Sequence, residues 1–131
     1  MRVPPILLVA LGGALGAAAR YAAALALGRP TLVSGLPLGT LVVNLAGCLL
    51  VGLVVPFVTR PGAEPARLLV VVGVLGGFTT LSAFSLESVE LLRAGKAGAA
   101  VLYGALSVGL GLTLTALGLR IARALSATGG P

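Results

Sequence analysis

Four long apolar blocks, separated by short segments rich in glycine, proline and arginine, dominate the pattern of this chain. They cover about residues 3–27, 36–58, 67–92 and 98–121. A membrane-spanning helix needs about 20 mostly apolar residues, so each block is long enough to cross a bilayer once. The Gly-Arg-Pro, Thr-Arg-Pro-Gly and Arg-Ala-Gly-Lys segments that follow the first three blocks are typical helix ends. The pattern predicts an all-α membrane protein, in which residues 1–131 form one domain of four transmembrane helices.

The third block contains a polar stretch at its centre, residues 76–87, with the sequence GGFTTLSAFSLE. Two glycines followed by two threonines at mid-membrane predict a broken third helix. Such a break is tolerated in a bilayer only where it is buried in protein or lines a cavity, and its freed backbone groups commonly bind ions. The alternative is a continuous packing helix whose hydroxyls bond to the preceding turn. This stretch is the strongest candidate for an ion site.

Polar side chains also lie inside the other blocks. Asn44 is near the middle of the second block, where lipid cannot satisfy an amide, so we expect it to face a partner or a watery path. Ser107 and Thr115 share a stripe of the fourth block with three glycines, and either bond back to the preceding turn or face a passing ion. Arg20 is either an interfacial anchor or a structural or vestibule charge.

Composition supports a membrane protein and excludes several kinds of chemistry. Of all residues, 58% are hydrophobic and 9% are charged, whereas an ordinary soluble domain is about 25% charged. Histidine and aspartate are absent, the acids are Glu64, Glu87 and Glu90 alone, and Cys48 is the single cysteine. Because Cys48 lies inside an apolar run, we expect it to be a packing residue. Most hydrolytic, metal and redox reactions are thereby excluded, and we predict that the protein is not an enzyme.

The net charge of +6 results from nine basic and three acidic residues, and the basic residues stand mostly singly between the apolar blocks. They form no basic patch of the kind that binds nucleic acid, and their spacing is typical of anchors in lipid headgroups. If the loops alternate between the two sides of the membrane, the basic residues divide five against four: Arg2, Arg60, Arg67, Arg120 and Arg123 against Arg20, Arg29, Arg93 and Lys96.

This near balance leaves the orientation of the chain weakly determined, because the positive-inside rule needs an excess of Lys and Arg on one side. Both orientations are therefore open to the chain, and an inverted copy can pair with an upright one about a two-fold axis in the membrane plane. The alternative is a weakly oriented monomer or a parallel dimer.

Three segments, one in each of the first three blocks, resemble the Fluc/CrcB fluoride channel family. They read GGALGAAARY, PLGTLVVNLAG and GGFTTLSAFSLE. The resemblance implies an antiparallel dual-topology homodimer of four-helix subunits, with two fluoride pores and a structural Na+ on the two-fold axis. It also implies a multi-pass protein of the inner (plasma) membrane that exports fluoride passively.

The resemblance further assigns residues to the site. It places the Na+ on the backbone carbonyls of Gly76 and Thr79 from both subunits, and it makes Arg20 and Glu87 vestibule or structural residues. It builds the fluoride pathway from amide, hydroxyl and ring-edge groups, namely those of Asn44, Thr80, Ser82, Phe84, Ser107 and Thr115.

Two positions depart from the family pattern. Leu81 stands where the family usually has a phenylalanine, and Ala83 stands where a threonine is usual. One of two paired aromatic edges is therefore missing, because leucine has no ring edge to present to an anion. Leu81 is accordingly left out of the anion-coordinating residues.

Two other functions compete with a fluoride channel. A small four-helix proton-coupled multidrug exporter needs an intramembrane carboxylate in its first helix and aromatic residues around a cationic drug. The first block has no acid, and the chain is only 4% aromatic. A structural or assembly subunit without transport activity is the second alternative, and the polar third block counts against it.

Overall fold

In a computed structural model, residues 3–27 and 35–128 are described, and the regular elements in these ranges are all helical. The helix stop predicted at residues 28–30, the basic residues Arg2 and Arg29, and residues 129–131 lie outside the described residues. In chain order the elements are α1 (Pro5–Leu27), α2 (Leu38–Val58), α3 (Glu64–Arg67), a π-helical segment (Leu68–Leu75), α4 (Gly76–Phe78), α5 (Leu81–Arg93) and α6 (Ala97–Thr128).

Four helical stretches in the described residues are long and apolar enough to cross a membrane: Pro5–Leu27, Leu38–Val58, Glu64–Arg93 and Ala97–Ala127. This confirms the prediction of an all-α, multi-pass membrane protein with four spans. Between 11% and 28% of each span is buried inside the chain. Most of the apolar surface therefore faces outward, as expected where the surroundings are as apolar as the side chains.

The helices pack in two close pairs, in which α1 lies against the π-helical segment and α4, and α2 lies against α6. Glycines form the contacts in both pairs. A Cβ added to Gly73 would lie 2.7 Å from the Gly12 Cα, and one added to Gly118 would lie 2.9 Å from the Leu53 nitrogen. Only residues without a side chain let two backbones approach so closely, and this is the main source of helix association in lipid.

Helix α6 ends later than the sequence predicts, at Thr128 instead of about residue 121. The residues after Arg120 include alanines, a leucine and Arg123, which are strong helix formers. The Ser126 hydroxyl also donates to the Ala122 carbonyl at 3.0 Å, and Arg60 Nη2 donates to the Ser126 Oγ at 3.4 Å. These contacts hold the last turns of α6 beside the end of α2.

Candidate functional site

Two extended residues, Thr79 and Thr80, separate α4 from α5. Thr79 has φ −85° and ψ 154°, and Thr80 has φ −147° and ψ 113°. In a continuous α-helix, each carbonyl accepts a hydrogen bond from the amide four residues later. The extended pair disrupts that pattern, so its backbone groups must find partners elsewhere in the molecule.

Asn44 of α2 binds both backbone groups of Thr80. Its Nδ2 donates to the Thr80 carbonyl at 3.0 Å, and the Thr80 amide donates to its Oδ1 at 2.8 Å. The side chain thus replaces two hydrogen bonds that an uninterrupted helix would make, and each such group left unpaired in lipid costs several kcal/mol. An amide nitrogen carries two hydrogens, and no hydrogen bond within the described residues uses the second one.

Further side chains cap the two helix ends at the interruption. The Thr80 hydroxyl accepts from the Ala83 amide at 3.2 Å and lies 3.1 Å from the Ser82 hydroxyl. It is therefore the N-cap of α5. Arg20 Nε donates to the Gly77 carbonyl at 3.2 Å, which places a cation at the C-terminal end of α4. Of the alternatives for Arg20, this contact favours the structural one.

These bonds leave carbonyls at the interruption without the donors that a continuous helix would give them, among them those of Gly76 and Thr79. The amide that would serve Gly76 is that of Thr80, which binds Asn44 instead. The amide that would serve Thr79 is that of Ala83, which binds the Thr80 hydroxyl instead. The carbonyls of Gly76 and Thr79, which the family resemblance assigns to a cation, are thus among those whose helical donors bind elsewhere.

Glu87 of α5 accepts hydrogen bonds at both carboxylate oxygens. The Thr40 hydroxyl donates to Oε1 and the Tyr103 hydroxyl donates to Oε2, each at 2.6 Å. Tyr103 is fully buried, and its ring lies 5.0 Å from that of Phe84. The sequence prediction included Glu87 but missed Tyr103, although a tyrosine hydroxyl inside an apolar span needs a partner and was itself a usable signal.

Two cavities adjoin these groups. The first, of about 440 Å³, is lined by Asn44, Thr80, Phe84 and Ser107 among others, and none of its lining residues is acidic or basic. The second, of about 670 Å³, is charged and also reaches Thr80. Its lining residues include Arg20, Thr40, Glu87, Glu90 and Lys96.

The chain is matched over residues 7–119 by the protein family described as "CrcB-like protein, Camphor Resistance (CrcB)". The chain belongs to the Fluc/CrcB family. This confirms the resemblance drawn from the three sequence segments, and the matched range contains every residue assigned to the site.

Curated relatives in this family cover nearly the whole chain. A Paracoccus denitrificans protein named "Fluoride-specific ion channel FluC" is 46% identical over 119 residues, which are 91% of this chain and 94% of the relative. A Thermus thermophilus protein of the same name is 48% identical over 120 residues, which are 91% of this chain and 95% of the relative. A third, from Methylobacillus flagellatus, is 41% identical over 120 residues, covering 90% and 94% of the two chains.

The residues that the Fluc/CrcB resemblance assigned to one pathway do not all meet in one cavity. Ser82 and Thr115 line neither of the two cavities. Thr115 instead donates its hydroxyl to the Cys48 carbonyl at 3.0 Å, across the contact between α6 and α2. Leu81, where this chain departs from the usual family residue, lines the first cavity and is 75% exposed in the single chain.

Proposed function

We propose that the chain is a fluoride-selective ion channel that lets fluoride leave the cytoplasm passively. The family assignment and the printed names of the relatives support an ion channel. The observation that carries the proposal is the Asn44 amide, which is held against the interruption with one N–H still available and which lines the uncharged cavity.

The chemistry of the 440 Å³ cavity suits a small, strongly hydrated anion. Fluoride that enters a pore must exchange its water for other hydrogen-bond donors, yet must be held weakly enough to leave. The Asn44 amide, the Thr80 and Ser107 hydroxyls and the positive ring edge of Phe84 meet both requirements. Since no lysine or arginine lines this cavity, an anion would meet no fixed cation that holds it too tightly.

The hydrogen bonds of the other predicted site residues indicate what each of them contributes. Ser82 lies beside the Thr80 hydroxyl, so it extends the row of hydroxyls along the proposed path. The Thr115 hydroxyl is used by the Cys48 carbonyl, so Thr115 acts in packing. Arg20 lines the charged cavity together with Lys96, Glu87 and Glu90 and caps α4, so its role is structural.

The membrane potential supplies the direction of transport. In the inner (plasma) membrane, the interior of the cell is negative, and this favours the exit of an anion by about 2.3 kcal/mol per 100 mV. A passive pore would therefore keep cytoplasmic fluoride low without hydrolysis of a nucleotide.

The proposal includes an antiparallel homodimer with two pores and a structural Na+. The Gly76 and Thr79 carbonyls fit a hard cation, because they are neutral oxygen donors whose helical partners are bonded elsewhere. A bound Na+ would add positive charge beside the two anion paths. The first cavity also has an apolar rim, which includes Val51, Val71 and Val108 and which a second chain would cover.

Fluoride efflux from liposomes tests the proposal. Purified protein is reconstituted into vesicles loaded with potassium fluoride or potassium chloride, valinomycin is added, and an electrode records the released halide. We expect rapid fluoride efflux and little chloride efflux from the wild type. Equal rates for the two halides would refute selectivity, and the absence of fluoride efflux would favour the multidrug-exporter alternative, which the family assignment does not support.

Asn44→Leu is the matched variant for this assay, since leucine has nearly the shape of asparagine but no amide. Because the variant also loses both bonds to the Thr80 backbone, it should be less stable, so efflux is compared at equal amounts of the dimer fraction from size-exclusion chromatography, where most of the fluoride efflux should be lost. Normal efflux from this variant would remove Asn44 from the path.

A further inference from the structure

We infer that the membrane end where α2 and α6 finish holds a binding site for the phosphate of an anionic phospholipid. Its core is the arginine pair Arg60 and Arg123, with Arg120 one turn before Arg123 along α6. The inference does not depend on the proposed function, because it concerns the surface of a single chain at a distance from both cavities described above.

Arg60 contacts α6 through one N–H group of its guanidinium. Its Nη2 donates to the Ser126 Oγ at 3.4 Å, and its guanidinium carbon lies 5.3 Å from the centre of the Phe57 ring. Ser126 in turn is fixed by its own bond to the Ala122 carbonyl. Because this set of contacts uses only one hydrogen bond of the guanidinium, no residue among those that the structure describes occupies its remaining N–H groups, which can donate to an anion.

Arg123 and Arg120 extend the positive surface along α6. Arg123 precedes Ser126 by three residues, so the two lie on neighbouring positions of the same helix face. Arg120 bears the same relation to Arg123. All three arginines, including Arg60, are exposed.

Helix lengths place these groups at the level of lipid phosphates. At about 1.5 Å per residue, Arg120 lies about 35 Å and Arg123 about 39 Å along α6 from Ala97. The hydrocarbon core of a bilayer is about 30 Å thick, and with the headgroups it reaches about 40–45 Å. Helix α2 is about 32 Å long by the same arithmetic, and Arg60, two residues beyond its end, lies level with the last turns of α6 because it hydrogen-bonds Ser126.

The positive charge at this end is not neutralised by the described side chains. The nearby acid is Glu64, and Arg67 engages it with bonds of 2.9 and 2.7 Å. Within the described ranges, no ion pair is formed by Arg60, Arg120 or Arg123. Paired guanidinium groups match the oxygens of a phosphate, for which they can supply parallel hydrogen bonds.

An exposed aromatic ring beside Arg60 indicates a lipid and not free phosphate. Phe57, Ile121 and Leu125 are 40%, 40% and 60% exposed. Phe57 contacts Arg60 and precedes it by three residues, on the side of the bilayer centre, whereas Ile121 and Leu125 are two positions from Arg123 and point to another side of α6. An acyl chain can cover Phe57 while its phosphate binds the arginines, whereas inorganic phosphate offers nothing to this ring.

Native mass spectrometry of the full chain in detergent tests the site. The wild type is titrated with phosphatidylglycerol, with phosphatidylcholine, and with inorganic phosphate as a competitor. We expect preferential binding of phosphatidylglycerol, not displaced by inorganic phosphate. The Arg60→Gln/Arg123→Gln double variant should bind phosphatidylglycerol about 25-fold more weakly, at about fivefold for each arginine.

Two control variants distinguish a specific lipid site from a general effect of positive charge on lipid binding. Arg67→Gln removes a charge at the same membrane end that Glu64 already pairs, and Arg93→Gln removes one at the other end, so both should keep the wild-type affinity. Arg60→Lys/Arg123→Lys preserves the charge but not the parallel hydrogen bonds of a guanidinium, so it should bind more tightly than the double glutamine variant and more weakly than the wild type. Equal losses in all variants, no loss in the double glutamine variant, or displacement by inorganic phosphate would each overturn the proposal.

Discussion

Replacing Gly16 by alanine is the sharpest test of how α1 packs. A Cβ at this position would overlap the Val74 carbonyl oxygen and would lie 2.8 Å from the Phe78 nitrogen. These are backbone atoms, which cannot rotate away as a side chain would. Gly13, three residues earlier on the same helix, has nothing within 4 Å of its added Cβ. The Gly16→Ala and Gly13→Ala variants thus carry the same change of residue, but only the first brings a new methyl group against the backbone of another helix.

The expected magnitude follows from these contacts. Ordinary contact begins at 3.4 Å, so α1 must move by at least about 0.6 Å to relieve the Phe78 contact alone. Overpacking of this kind costs about 1–3 kcal/mol. Alanine gains up to about 1 kcal/mol of helix propensity over glycine, but both variants gain it equally. The difference in unfolding free energy between Gly13→Ala and Gly16→Ala should therefore be about 1–3 kcal/mol.

Unfolding in mixed micelles, followed by circular dichroism as the fraction of dodecyl sulfate rises, measures this difference. We expect Gly13→Ala to unfold at or above the wild-type midpoint and Gly16→Ala to unfold below it. Equal midpoints for the two variants would show that α1 does not pack against the segment from Val74 to Phe78.

Two further outcomes follow from the structure. Tyr103→Phe removes one hydroxyl donor from the Glu87 carboxylate and should cost about 1.5–3 kcal/mol of unfolding free energy. Tyr21→Phe is the control, and it should change the unfolding free energy little because Tyr21 is 67% exposed. Equal effects of the two substitutions in the same unfolding assay would contradict the bond between Tyr103 and Glu87. The proposed dual topology requires that a reporter fused to the C-terminus be found on both sides of the membrane, and detection on one side alone would reject it.

The sequence was sufficient to place the polar groups but not to pair them. Hydrophobic block lengths predict the four spans, because crossing a bilayer imposes a minimum length on any helix. Likewise Asn44 had to face a partner, because an amide in lipid cannot remain unsatisfied. That its partner is the backbone of Thr80 depends on how α2 packs, and the two residues are 36 positions apart. Local patterns carry no information about contacts at such separations.

The same limit explains the two places where sequence reasoning fell short. Tyr103 and Glu87 are 16 positions apart on different helices, so their bond appears only once α5 and α6 are packed together. The end of α6 was set too early because the polar residues near Ser126 favour a terminus in isolation. In the folded chain, Arg60 from α2 contacts Ser126 and supports the additional turns.

The hydrogen bonds around the interruption also supply a physical reason for the proposed cation and second chain. Arg20, Asn44 and Thr80 provide partners for most of the backbone groups that the extended residues release. The Thr79 hydroxyl already donates to the Leu75 carbonyl at 3.0 Å.

Among the described residues, no side chain donates to the carbonyls of Gly76 or Thr79. In lipid these oxygens would cost several kcal/mol each if they stayed unpaired. In the proposed dimer, two chains related by a two-fold axis would each bring two such oxygens to a shared cation. Because the ligands are neutral carbonyls, the charge of that cation would stay uncompensated beside the anion paths. The interruption would then contribute to both stability and permeation. Substitution of its side-chain partners, Asn44 above all, should therefore lower both the unfolding midpoint and the fluoride efflux.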